Sequence, residues 1–241
     1  MTWIFLTLSA TLFQAGQFLP QSDNPHFFTS ADLFFREYVR QGKVDYQAIK
    51  KGPDRLNMLL DTLALFDLAR LDNEKQVQAF WINAYNLLVI HSVVKAYPIK
   101  SPLEVEGFFN QQKHRVAGRE LTLDEIEKEE LLKRYRDPRF HFVLVCAAKG
   151  CPELVNHAYI GEKLETQLQQ RSKATLNDAR YVRVDDSSKK VYLVEIFKWY
   201  EMDFTSSSKS VVEFINGLRE QKIPVDCSVD YIPYDWSLNE L

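Results

Sequence analysis

The stretch from residue 74 to residue 97 does most to restrict what this chain can fold into. Its apolar positions 77, 80, 81, 84 and 88 recur at the 3.6-residue spacing of an α-helix. Pro98 ends the run, because proline inside a helix removes a backbone donor and clashes with the preceding turn. A helix of that length needs a large apolar surrounding. The 241 residues provide one, with 46% hydrophobic and 13% aromatic content. The same helix carries Trp81-Ile-Asn83-Ala-Tyr85-Asn86, which places two amides and a phenol in an apolar segment. Buried amides require hydrogen-bond partners. Asn83, Tyr85 and Asn86 therefore either brace neighbouring loops or line a site.

Shorter signals flank this helix. Ser30 is placed to cap a helix starting at Ala31, and residues 56–68 repeat apolar side chains at helical spacing. Ala117-Gly-Arg119 reads as a turn between short extended pieces. Thr122-Leu-Asp-Glu125 is a capping-box pattern that opens a helix to about Tyr135. Residues 140–147 are apolar at nearly every position, as expected of a strand buried on both faces. A helix is expected over 152–176, and a hairpin over 181–194 around Asp185-Asp-Ser-Ser. Residues 196–200 and 211–218 read as helices, and 229–241 as irregular and aromatic. Neither a repeat nor an internal linker interrupts the pattern. The expectation is one helix-rich α+β domain over residues 30–241, with a small, mainly antiparallel sheet.

The N-terminal residues point to export. Residues 3–15 form an apolar run too short to span a bilayer but suited to a signal peptide, with cleavage near Ala15 or Gly16. Residues 1–16 are thus expected to be a signal peptide and 17–29 a linker. The mature protein is expected to be periplasmic or extracellular, with no stable membrane span. The formal net charge of −3 and the lack of a basic run argue against nucleic acid as a partner. No spacing in the chain calls for a metal or cofactor.

The chemistry concentrates around Cys151. The stretch His141-Phe-Val-Leu-Val-Cys146-Ala-Ala-Lys-Gly150-Cys151-Pro152 delivers a thiol just past the expected strand and just before a proline that suits the first helical position. A helix N-terminus stabilises a thiolate. A thiol nucleophile needs a base and a group to orient that base. His141 stands at the head of the strand, facing with Val143 and Val145. Glu127 lies four residues from both Leu123 and Leu131 on a largely apolar stripe, where a carboxylate calls for a partner. The Cys151 N–H and an amide from Asn83 or Asn86 could together bind an oxyanion. The chain's other cysteines are Cys146 and Cys227, and the spacing permits a Cys146–Cys151 bridge without demanding it.

Seven motifs stand in order along the chain: Gly42-Lys-Val-Asp-Tyr46, Phe80-Trp-Ile-Asn-Ala-Tyr-Asn86, Leu123-Asp-Glu-Ile-Glu127, His141 to Cys146, Gly150-Cys151-Pro152, Ile196-Phe-Lys-Trp-Tyr200 with Asp203-Phe204, and Tyr234-Asp-Trp-Ser-Leu-Asn239. In these the chain resembles the bacterial branch of domain-of-unknown-function family 547. The resemblance implies a papain-like or transglutaminase-like α+β fold and a Glu–His–Cys arrangement formed by Glu127, His141 and Cys151. Three functions remain open at this stage. One is a thiol-dependent hydrolase or acyltransferase, of the cysteine peptidase or amidase kind, acting on an amide or peptide bond. The second is a non-catalytic module that binds a peptide or small molecule, with Asn83, Tyr85 and Asn86 touching the ligand. The third is a redox pair of Cys146 and Cys151.

Overall fold

A computed structural model describes residues 24–241. The signal-peptide reading of residues 1–16 lies outside them. Helix α1 spans Asn24–Tyr38, so it begins seven residues before Ala31 and takes in the last part of the stretch expected as linker. Phe27, Ala31, Phe34 and Phe35 of this helix are buried, and that apolar face holds its first turns on the core.

The two short strands β1 (Val39–Arg40) and β2 (Lys43–Val44) pair antiparallel and lead into α2 (Tyr46–Lys51) and α3 (Asp54–Ala64). Helix α4 (Glu74–Ala96) then crosses the centre of the molecule, capped by the Asn73 side chain on the Gln76 N–H. It is buried on every side from Gln78 to Ile90 rather than along one stripe, and packs on α2, α3 and the turns that follow. By length and composition it could cross a membrane, but nearly all of it is covered by protein here.

Strands β3 (His114–Val116) and β4 (Arg119–Leu121) form the expected hairpin, with Ala117 and Gly118 both at positive φ in the turn. The capping box at Thr122 is present in both directions and opens α5 (Leu123–Glu125). The helix widens at once into a π-helical segment, Ile126–Leu132, and closes as α6 (Lys133–Tyr135).

The later part of the chain builds a second hydrophobic cluster. It is made by α7 (Leu164–Leu176), β5 (Val182–Asp185), β6 (Lys190–Val194), α8 (Ile196–Trp199), α9 (Glu201–Thr205), α10 (Val211–Leu218) and β7 (Ser228–Ile232). Strands β5 and β6 pair antiparallel, and β7 adds parallel to β6, so the small sheets are mainly antiparallel, as expected. Strand β7 occupies the start of the stretch expected to be irregular.

Two further expectations fail, and both concern the site. Residues 140–147 do not form a strand. Pro138–Phe142 is a 3₁₀ turn and the chain continues irregularly to Cys151. Its uniform apolarity has another cause. Phe140 packs into the first cluster and Phe142 into the second, so the segment is a seam between two cores. Helix α7 starts at Leu164 rather than Pro152, so Cys151 does not cap a helix.

Candidate active site

The site forms along that seam, and α4 organises it with two amide side chains. Asn86 donates from Nδ2 to the Val143 carbonyl at 2.9 Å and accepts from the Val145 N–H at 3.0 Å. It thus serves residues 143–145 as a neighbouring strand would. Asn83 does the same for Tyr159, donating to its carbonyl at 2.8 Å and accepting from its N–H at 2.9 Å. Both amides are buried and satisfied by backbone, and neither lines the cleft. The structure thus replaces the oxyanion role considered for Asn83 and Asn86 with a bracing role. The other expected oxyanion donor is engaged as well, since the Cys151 N–H donates to the Ala148 carbonyl at 3.1 Å.

The braced segment leads to a sulfur pair. Cys146 and Cys151 form a disulfide across a separation of five residues. Cys151 is 5% exposed and Cys146 is half-buried. The loop between them is held by residues 235–239. Gly150 N–H donates to the Asp235 carbonyl, Lys149 N–H to Ser237, and Asn239 N–H to Ala147, all at 2.8–2.9 Å. Glycine is required at 150, because a Cβ there would lie 2.9 Å from the Asp235 nitrogen and 3.0 Å from the Tyr234 ring. Tyr181 O–H fixes the far side by donating to the Cys151 carbonyl at 2.9 Å.

A cleft of about 530 Å³ opens above the sulfurs. Cys151, Cys146, His141, Glu127 and Tyr85 all line it, so four of the six sequence candidates (Cys151, His141, Glu127 and Tyr85) meet in one place. His141 is buried at the seam, with the tilted Tyr200 ring 4.0 Å away and Phe204 at 5.3 Å between ring centroids. Its Nε2 lies 2.8 Å from Asp203 Oδ2 on α9. The orienting hydrogen bond expected from Glu127 therefore comes from Asp203. Glu127 sits in the π-helical segment, a local geometry often found at functional sites. Tyr85 O–H donates to its carboxylate at 3.5 Å. Burial raises the Glu127 carboxyl above its ordinary range, against the opposing charge of His141 and a hydrogen bond from Tyr200.

Sequence reasoning gave no site role to Asp203 and Tyr234. Both stand in motifs that carry the resemblance, Asp203-Phe204 and Tyr234 to Asn239, which was the one available signal. The Tyr234 hydroxyl lies 2.9 Å from Cys151 Sγ and 3.0 Å from Cys146 Sγ. Burial holds this phenol well above its ordinary range, so it stays protonated and able to donate. Tyr234 also joins an aromatic wall with Trp199 at 4.9 Å and Trp236 at 4.8 Å between centroids.

Residues 68–175 match the family described as Protein of unknown function, DUF547. The DUF547 match contains α4 with both bracing amides, Glu127, His141, Cys146 and Cys151. Asp203, Trp199, Tyr200 and Tyr234 lie beyond it. No curated protein and no solved structure matches the chain.

Proposed function

We propose that the cleft is the active site of a thiol-dependent hydrolase or acyltransferase acting on an amide or thioester carbonyl. The observation that carries this reading is the convergence of Cys151 and His141, from one largely irregular segment, with Glu127 of the π-helical segment on one cleft. The disulfide is the resting form, and the reaction begins once two equivalents of an external thiol have reduced it to Cys146 and Cys151 thiols. With its Nε2–H held by Asp203, His141 keeps Nδ1 as the lone-pair nitrogen that takes the thiol proton. The Cys151 sulfur attacks the carbonyl carbon, and the Tyr234 hydroxyl beside it is a donor for the developing oxyanion. Protonated His141 gives its proton to the leaving amine or thiol, and the acyl group remains on Cys151. Water or a second acceptor then releases it. Glu127, whose carboxyl feels the charge of His141, is the buried carboxylate partner of the imidazolium.

Kinship with papain-like and transglutaminase-like enzymes and export to an oxidising compartment belong to the same proposal. The disulfide supports export, since such bonds persist outside reducing cytosol. The test is to reduce the protein and present a panel of fluorogenic peptidyl amides and thioesters. The expected result is a burst of product with an acyl adduct on Cys151. The adduct should be absent in Cys151→Ser and form about 100-fold more slowly in His141→Ala. A panel that leaves Cys151 unacylated throughout sinks the reading.

The aromatic wall favours a second reading, a binding module. Trp199 is 46% exposed at the cleft, although large aromatic side chains are usually covered. On this reading Cys151→Ser retains ligand and only Trp199 or Trp236 substitutions lose it.

A further inference from the structure

The two sulfurs of the cleft are not equivalent. Cys151 Sγ accepts the Cys146 backbone N–H at 3.0 Å and the Tyr234 hydroxyl at 2.9 Å. Among the described residues Cys146 Sγ has only its contact with the same hydroxyl, which carries a single proton. Hydrogen bonds to a charged form stabilise it, so negative charge settles more readily on Cys151 than on Cys146. Exposure has the opposite order, with Cys146 half-buried and Cys151 5% exposed. In thiol–disulfide exchange the incoming thiolate attacks the accessible sulfur, and the better-stabilised thiolate leaves faster.

We infer that the Cys146–Cys151 pair undergoes thiol–disulfide exchange with a small thiol, which attacks Cys146 and expels Cys151 as the thiolate. The electron balance is direct. An external thiolate forms a bond to Cys146 Sγ, the Cys146–Cys151 bond breaks, and its electron pair passes to Cys151 Sγ. A second equivalent of the thiol attacks the external sulfur of the mixed disulfide. That releases the oxidised small-molecule disulfide and the Cys146 thiolate. Two external thiols are oxidised and one protein disulfide is reduced. Tyr234 is a positioning residue in this scheme, acting through the sulfur that leaves. The inference rests on the proposed function only in the use made of the freed thiolate, since the exchange itself needs no acyl substrate.

Trypsin makes the direction of attack readable. Cleavage after Arg139 and Lys149 puts Cys146 on the peptide 140–149 and Cys151 on the peptide 150–163. The air-oxidised protein is mixed with glutathione near neutral pH, quenched with acid, alkylated and digested. The expected product carries glutathione on peptide 140–149 and an alkylated thiol on peptide 150–163. Tyr234→Phe should slow its formation about tenfold, the scale of one hydrogen bond to a charged sulfur. The same substitution should move the pH midpoint of Cys151 alkylation upward in the reduced protein. A merely structural tyrosine would leave that midpoint unchanged. Glutathione on peptide 150–163, a disulfide untouched by glutathione, or air-oxidised protein with both thiols free each overturns the inference. Correct trapping on Cys146 in a protein that acylates with no substrate retains the inference and removes the proposed hydrolase.

Discussion

Asp203 Oδ2 lies 2.8 Å from Nε2 of His141, and it joins a half-exposed carboxylate on α9 to a buried imidazole at the seam between two cores. The side chains are 39% and 3% exposed. Removing the carboxylate therefore disturbs packing little while freeing the ring. Asp203→Ala should lower the acylation rate of reduced Cys151 roughly tenfold to 100-fold. It should raise the pH at which iodoacetamide half-modifies that cysteine, and His141→Ala should do the same. A profile like that of the unsubstituted protein would assign Asp203 to the surface alone.

Glu127 should work against folding at neutral pH. Burial raises its carboxyl above the ordinary value, so the native state holds that proton more tightly than the unfolded chain does. Stability attributable to this group is greatest in acid and declines as pH rises above about 4.3. Glu127→Gln should then raise the thermal midpoint at pH ~7, with little effect near pH ~4. For a chain of this size one added kcal/mol is worth about 2–4 °C. Scanning calorimetry at the two pH values checks this, and an equal gain at both contradicts it.

His114 has the opposite sign. Burial chiefly, helped by His91 and Lys95, lowers its pKa to about 4. The unfolded chain takes up this proton first, so the contribution is complete above about pH 6.5 and lost as pH falls through 6.5 toward 4. The loss amounts to about 3 kcal/mol at 1.36 kcal/mol per unit. His114→Leu should flatten the acid limb of urea-unfolding stability between those pH values.

Asn86 should matter to stability beyond its size. Asn86→Ala strands the Val143 carbonyl and the Val145 N–H inside the core. Each unpaired group costs about 1–3 kcal/mol, so a loss of roughly 2–6 kcal/mol is expected in urea. The reduced variant should also alkylate at Cys146 faster, since the segment before it is no longer held. A loss below ~1 kcal/mol would mean that Asn86 does not brace this segment.

The elements that declare themselves through local chemistry were legible in the sequence. They include the α4 termination at Pro98, the reciprocal Thr122–Glu125 cap, the Ala117-Gly118 turn and the β5–β6 hairpin. Residues 140–147 misled because uniform apolarity reports burial and not conformation. Their backbone is satisfied partly by a side chain 57 and 59 residues away, rather than by neighbouring strands. Pro152 misled in the same way, since nothing local shows that Asn83 holds Tyr159 extended. Strand β7 pairs in parallel with β6 across a long separation and has an acidic residue, Asp230, at its centre. At the site, Cys151, His141 and Glu127 stood out as polar or reactive groups in apolar settings. Asp203 and Tyr234 did not, because a half-exposed aspartate and one tyrosine of an aromatic cluster look ordinary until the chain folds.

The order in which the chain is synthesised bears on the sulfur pair. Cys146 and Cys151 are five residues apart, whereas the tyrosine that contacts both is 83 residues beyond the second. The cysteines can therefore meet an oxidant while Tyr234 is still unmade, and the wall that covers them closes last. A bond formed in that interval would exchange as in an open peptide. Only the finished fold makes one sulfur the preferred point of entry and the other the preferred point of exit.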